Sequence, residues 1–304
     1  MADEPVAEHS LTHGVHTARI SEQGATLRSY RLGPWELLDQ QAPTEAIEGG
    51  RGHVLLPWPN RIDGGEYVFE GHPHRLELTD KEHRNAIHGL TRRRPWTVAA
   101  LGSNHLSLAF LIDDAPGYPF QLALTVGYLL DDAGLTVTVR AVNQGKGALP
   151  FGAGFHPYFN LGSGPIDDVM LQLPASTVLK TNPRLIPIGR SAVVGTALDF
   201  REECPIDHTT FNHCFTDLKR DPGGVARVGL RSPQRGSAMT VWMDRAFSHV
   251  QLYSGEQLDP SARRRSLAIE PMTCAPNAFR SGEGLEVLAP KQAFEARWGV
   301  AGRR

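Results

Sequence analysis

The sequence predicts an all-β protein, a large antiparallel sandwich, on three observations. Apolar and polar residues alternate through several stretches: Leu106, Leu108, Phe110 and Ile112 stand against His105, Ser107 and Ala109, which gives a strand one apolar face. The 31 glycines and 22 prolines among 304 residues supply many turns. No window longer than about ten residues keeps a helical period free of Gly or Pro. No repeat, low-complexity tract or linker divides the chain, so residues 1–304 read as a single domain.

The elements follow in order. Val15 to Leu32 alternates loosely around a turn at Gly24, and Pro34-Trp35-Glu36-Leu37-Leu38 adds a short strand. Gln40 to Gly50 reads as loop. The apolar run Gly52-His53-Val54-Leu55-Leu56 ends at Pro57-Trp58-Pro59, which delivers Asn60 and Arg61 into a loop. Tyr67-Val68-Phe69 and His74-Arg75-Leu76 flank Glu70-Gly71, a hairpin signal. After the turn Gly102-Ser103-Asn104 comes the alternating strand described above. Leu122 to Leu130 repeats the design and turns through Asp131-Asp132-Ala133-Gly134 into Leu135, Val137 and Val139, a meander. Shorter β-like runs follow at 169–173, 226–230, 238–243, 249–253, 267–269 and 294–298.

Composition narrows the function classes. With 31 basic and 33 acidic residues, a net charge of -2 gives no field that would draw the chain to nucleic acid or an anionic membrane. The expected partner is a small molecule. Two basic runs, Arg92-Arg93-Arg94 and Arg263-Arg264-Arg265, fit either a phosphate grip or a solvated loop. Cys204, Cys214 and Cys274 match no zinc or redox spacing and suit a reducing compartment. The start, Met1-Ala2-Asp3-Glu4-Pro5, lacks the basic and apolar regions of a signal peptide, and no later run approaches a membrane span. A soluble, cytoplasmic protein, monomer or homodimer, is the expectation.

Two residues stand out chemically. In Phe151-Gly152-Ala153-Gly154-Phe155-His156-Pro157-Tyr158-Phe159-Asn160-Leu161 one imidazole stands among aromatic rings, and small residues let other groups approach the backbone. Pro157 holds His156 extended, because the proline ring clashes with a helical residue before it. Glu270 follows Ser266-Leu267-Ala268-Ile269 and precedes Pro271, so a carboxylate closes an apolar strand, where partial desolvation raises its pKa toward the range of a general base. Each also has a bland reading: a core histidine bonded to the main chain, and a strand-end glutamate paired with an arginine. Asn60-Arg61, His88 beside Gly89, and Gln251 supply further groups able to hold a hydroxylated ligand.

The ordered set Asn60-Arg61, Ile87-His88-Gly89, His156-Pro157-Tyr158-Phe159-Asn160-Leu161, Val250-Gln251-Leu252-Tyr253-Ser254-Gly255 and Glu270 resembles the aldose 1-epimerase (mutarotase) family. The resemblance runs from about Gly14 to Val300 and implies a galactose-mutarotase-type sandwich. It implies that Glu270 is the base at the anomeric hydroxyl and His156 the acid at the ring oxygen, with no cofactor and no metal. Arg61 and His88 would then bind substrate and stabilise charge on sugar oxygens, while Asn60 and Gln251 would bind hydroxyls. Two departures bear on sugar preference. Asn212-His213-Cys214-Phe215 carries asparagine where galactose mutarotases usually have aspartate, with Asp217 as a carboxylate that a shifted loop would bring in. Pro157 stands where better-known members often have serine.

Three alternatives remain at this level. A hexose-6-phosphate mutarotase of the same fold would grip phosphate with one of the basic runs. A non-catalytic carbohydrate-binding protein would keep the pocket without needing an acid and a base. A metal-dependent barrel enzyme would use His72, His74 and Glu77, whose spacing fits that family poorly.

Overall fold

In the computed structural model, which describes residues 7–39, 49–161 and 164–303, the alternating stretches are strands whose apolar sets point one way. Burial alternates along Leu122–Asp131 and Gly134–Asn143, which pair in continuous register from Leu122↔Asn143 to Asp131↔Gly134. The two residues Asp132 and Ala133 join them, and Gly134 takes the positive φ, +121°, at the start of the return strand. The second predicted hairpin also forms, with Glu66–Phe69 on His72–Arg75.

Among the described residues the strands build two large antiparallel sheets. One has nine strands, in the order Thr97–Leu101, His105–Ile112, Leu122–Asp131, Gly134–Asn143, Ala293–Arg303, Ser237–Met243, Ala226–Ser232, Met170–Gln172 and Cys204–Pro205. The other has eight. Its path is Pro187–Ala192, Ala175–Thr181, Asn212–Leu218, His249–Tyr253, Leu267–Met272, Gly154–Phe155 and Val54–Leu55, with Tyr158–Phe159 also paired to Leu267–Met272. The core lies between them, where Val126, Val139, Val241 and Trp298 of the first sheet share one buried cluster with Phe155, Val250, Leu252 and Ile269 of the second. Phe155 and Trp298 meet across the layers with ring centroids 5.3 Å apart. Helix is confined to the single turn Ala278–Ser281 and the 3-10 turn Ile166–Asp168 among these residues, none of it long and apolar enough to cross a membrane.

The strand bounds differ from the sequence reading in one way that matters for the site. Glu270 does not close its strand: Leu267–Met272 continues through Glu270 and Pro271. The amides of Ile269 and Thr273 donate to the carbonyls of Pro157 and Ala153, at 3.2 and 2.9 Å, and Pro271 lies between them on the same edge. The neighbouring chain passes from Gly154–Phe155 to Tyr158–Phe159 there, so the proline meets a gap in the ladder. Strands at Glu8–His13, Thr97–Leu101, Ala175–Thr181, Pro187–Ala192 and Asn212–Leu218 carry too little alternation to be read in advance; Pro187–Ala192 is an edge strand with no fully buried residue. Of the expected loop at 40–50, residues 40–48 lie outside the described residues, as does the Met1–Pro5 stretch.

Candidate active site

The pleat sorts core from site. Gln251 stands opposite Glu270 on adjacent strands, while their neighbours Val250, Leu252 and Ile269 point into the core, so Gln251 and Glu270 share the other face. That face of an antiparallel sheet is commonly wet. Here every residue of Leu267–Met272 is buried, because loops fold over it and leave a pocket of about 390 Å³. The pocket brings together Asn60, His88 and His156 from loops, Arg61 from the short strand Arg61–Asp63 rather than the loop expected for it, and Asn212, Gln251 and Glu270 from the sheet.

Two motifs far apart in sequence are clipped to form one wall. Asn60 donates its amide N–H to His88 Nδ1 at 3.2 Å, and His88 returns its own to the Asn60 carbonyl at 2.9 Å. Both residues hold left-handed backbone, φ +53° and +64°. Gly89, at φ +68°, completes the turn where a Cβ would sit 2.0 Å from the Leu56 carbonyl oxygen, so no larger residue fits. Because Nδ1 of His88 accepts, a neutral ring carries its proton on Nε2 and offers a donor. Burial pushes the His88 pKa well below its ordinary value, helped by the charges of Arg92 and Arg61, so the ring stays neutral. Arg61 Nε is fixed on Asp80 Oδ2 at 2.7 Å, and Asp80 Oδ1 accepts from the His83 amide at 3.2 Å and lies 3.0 Å from His83 Nδ1. Burial raises the Asp80 pKa, but the Arg61 and His83 bonds outweigh it and hold the carboxyl below its usual range.

His156 and Glu270 meet at the floor. Extended backbone places side chains i and i+2 on one side, so the conformation Pro157 enforces stacks His156 on Tyr158, with centroids 5.1 Å apart and planes 10° off parallel. Arg51 covers the Tyr158 ring at 4.9 Å and is itself held by Asp39 at 3.0 Å. The tyrosine hydroxyl donates to the Gly49 carbonyl at 2.9 Å. Thus His156 Nε2 comes within 3.4 Å of Glu270 Oε1. The other carboxylate oxygen, Oε2, is buried with no hydrogen-bond partner among the described residues. Burial drives the Glu270 pKa well above the carboxylate range, with the Arg61 charge pulling the other way, and the same burial drives His156 downward. The close packing read from Gly152 and Gly154 holds: a Cβ would meet Cys274 Sγ at 2.5 Å and Pro59 Cβ at 2.6 Å.

Asn212 lines the pocket, and its Oδ1 accepts from Gln251 Nε2 at 3.0 Å. Asp217 does not join it. Asp217 is exposed outside the pocket at the far end of Asn212–Leu218, on left-handed backbone at φ +55°. The basic runs separate as well. Arg264 is bonded to Asp167 and Glu256 and Arg263 to the Leu258 carbonyl, whereas Arg92 and Arg93 line the pocket. His72 and His74 stay on their hairpin, His74 stacked on Tyr67 at 4.8 Å, and among the described residues no three His, Cys, Asp or Glu side chains converge as a ligand set. Sequence reading passed over His53, a buried imidazole in the pocket wall with a pKa pushed down to about 3 by burial and then by Arg92. The available signal was a histidine inside an apolar run just after a glycine.

The sequence profile of the family described as aldose 1-epimerase matches residues 8–300. The uncharacterised Escherichia coli protein YihR is 32% identical over 97% of this chain and 93% of its own length. Human galactose mutarotase is 30% identical, over 72% of this chain and 66% of its own. In fold, the GalM/aldose epimerase homologue from C. elegans superposes with a TM-score of 0.86 at 16% identity, covering 98% of this chain and 99% of that one. Galactose 1-epimerase from Lactobacillus acidophilus gives 0.83 at 22% identity, covering 100% and 96%. With a match spanning nearly the whole chain, this protein belongs to the aldose 1-epimerase family.

Proposed function

We propose that the protein is a cofactor-independent aldose 1-epimerase, interconverting the α and β anomers of a free aldose by acid–base ring opening and closure. The observation that supports this most is the buried contact of 3.4 Å between His156 Nε2 and Glu270 Oε1 at the floor of a pocket of about 390 Å³. Binding alone needs neither a base nor an acid. It needs still less a carboxylate with an unpartnered oxygen, which costs stability.

The cycle uses one proton on the pair. Glu270 takes the proton from O1 as the O1–H electrons become the C1=O1 bond, and His156 gives its proton to the ring oxygen as the C1–O5 electrons leave to it. The open aldehyde turns about the C1–C2 bond. Closure on the other face returns the O5 proton to His156 and the Glu270 proton to O1. Both arrangements, carboxylate with imidazolium and carboxylic acid with imidazole, therefore occur in every turnover. Burial works against the charged arrangement, while the Arg61 guanidinium favours its carboxylate and opposes its imidazolium. Arg61 and the Nε2–H of His88 are the donors for charge that develops on sugar oxygens. Asn60, Gln251 and Asn212 supply neutral groups for hydroxyls.

Polarimetry on freshly dissolved α-anomers of glucose, galactose, xylose and arabinose tests the reading. At least one sugar should reach its equilibrium rotation at a rate proportional to protein concentration. Saturable binding with no acceleration of any aldose would make the protein a sugar-binding module instead.

A further inference from the structure

Beyond the acid–base pair, the pocket has a second charged end. Arg92 and Arg93 line it, and neither has a carboxylate partner among the described residues. The remaining cation of the pocket wall, Arg61, is already engaged by Asp80. Of the carboxylates in the wall, Asp80 is taken up by Arg61 and His83, Glu82 lies 4.0 Å from His83 with most of its surface in solvent, and Glu270 belongs to the floor.

Arg92 is also held in place rather than trailing in solvent. Its turn is closed by the Arg94 amide donating to the Thr91 carbonyl at 3.0 Å. It is clamped to the turn before Thr26–Leu32 by Gly24 N–H to the Arg94 carbonyl at 2.8 Å and Trp96 N–H to the Glu22 carbonyl at 2.9 Å. A Cβ on Gly24 would lie 2.2 Å from the Arg92 carbonyl oxygen, so the two turns are in full contact. Arg94 points elsewhere, over the Phe110 ring at 6.0 Å.

We propose that Arg92, assisted by Arg93, forms an anion subsite of the sugar pocket, and that the preferred substrate is an aldose carrying a negatively charged oxyanion group away from its anomeric carbon. This inference rests on the aldose 1-epimerase reading and names the substrate class of that site. A partly buried guanidinium with no counter-charge is unfavourable, and a planar fork of donors on a fixed turn suits bidentate recognition of a carboxylate, sulfate or phosphate. The cost is visible in the proton affinity of Arg92, pulled down to about 10 by burial and then by the neighbouring Arg93 charge. Arg92 also lies near enough to depress His53, His88 and His156, so an anion bound to it would ease protonation of the catalytic imidazole. Substrate charge would then assist the chemical step as well as binding.

The test compares glucose with glucuronate, glucose 6-sulfate and glucose 6-phosphate, in wild type, Arg92→Ala and Arg92→Lys. Anomer exchange is followed by NMR and binding by titration calorimetry. For at least one anionic sugar, wild-type kcat/KM should exceed that for glucose on the order of 10- to 100-fold, the range of a charge-assisted pair. Arg92→Ala should collapse that ratio, Arg92→Lys should restore part of it, and the best of the three anions identifies the group. Equal or better turnover of glucose, or an Arg92→Ala loss equal for all four sugars, overturns the subsite while leaving the epimerase reading intact. If no sugar is turned over, calorimetry decides: Arg92-dependent binding of an anionic sugar keeps the subsite and removes the reaction, and its absence removes both.

Discussion

The pocket contains two contacts between a carboxyl and a basic side chain, one partly buried and one buried, that differ in how completely they are satisfied. Arg61 and Asp80 meet at 2.7 Å, and Asp80 has His83 on its other oxygen, so the group is saturated and its pKa sits low. His156 and Glu270 meet at 3.4 Å, one carboxylate oxygen has no partner, and burial pushes both groups toward their neutral forms. A saturated pair holds geometry. An unsaturated one keeps proton affinity to spare for a substrate, and this contrast divides scaffold from chemistry within a single pocket.

The largest expected effect lies on the unsaturated side. Glu270→Gln and His156→Ala should each lower mutarotation by at least ~100-fold, the usual contribution of a general acid or base. Near pH 5 the melting temperature of Glu270→Gln should stay within about 2 °C of wild type, since it keeps the side-chain size and breaks no strong hydrogen bond, whereas His156→Ala also removes a buried ring stacked on Tyr158 and should melt lower. A variant keeping more than a third of wild-type activity would remove that residue from the mechanism. The saturated pair should behave in the opposite manner. Asp80→Ala leaves Arg61 with no counter-charge and should cost about 2 kcal/mol of stability, below the ~3–5 kcal/mol of a fully enclosed pair because this one borders a pocket. Chemical denaturation checks this, and an unchanged midpoint would erase the contrast.

The pH dependence of stability sharpens the comparison further. Glu270 titrates above its unfolded value of 4.5, so the folded state holds that proton more tightly and loses stability as pH rises from there through the raised pKa. Glu270→Gln lacks this loss. Its melting temperature relative to wild type should therefore increase as pH rises above 4.5, whereas the deficit of Asp80→Asn should grow only up to the unfolded value of 3.8 and stay level above it, because the stability from a depressed carboxyl is fully present there. Thermal scans of the three proteins at several pH values measure it, and parallel curves for Glu270→Gln and wild type would contradict the assigned burial effect.

The smallest effects concern the sheet-borne amides. Asn212→Asp would place a charged acceptor opposite Gln251 Nε2 and should tighten binding of a neutral hexose by about 1 kcal/mol, read as a lower KM with kcat nearly unaffected. Asp217→Asn should change neither constant. An Asp217 effect larger than that of Asn212 would place the wrong end of Asn212–Leu218 at the sugar.

Much of this was legible in the chain itself. Alternation marks strands such as His105–Ile112 because one face is buried and the other is not, and the ordered motifs carry the floor and the Asn60–His88 wall. Pro187–Ala192 was illegible because an edge strand buries nothing that would enforce a pattern. The end of the Glu270 strand was misplaced because Pro271 usually stops a ladder, and only the gap in the neighbouring chain shows why it does not. The division between Arg92 in the pocket and Arg264 tied to Asp167 is a long-range fact, since both runs read alike until the fold assigns their partners.

The central claim is that His156 and Glu270 act as one proton-exchanging unit, and anomer exchange in the double variant tests it most directly. Residues serving one step are strongly non-additive. The account predicts that His156→Ala combined with Glu270→Gln is within about threefold of the slower single variant. Losses that multiply would contradict it and make the two side chains independent contributors.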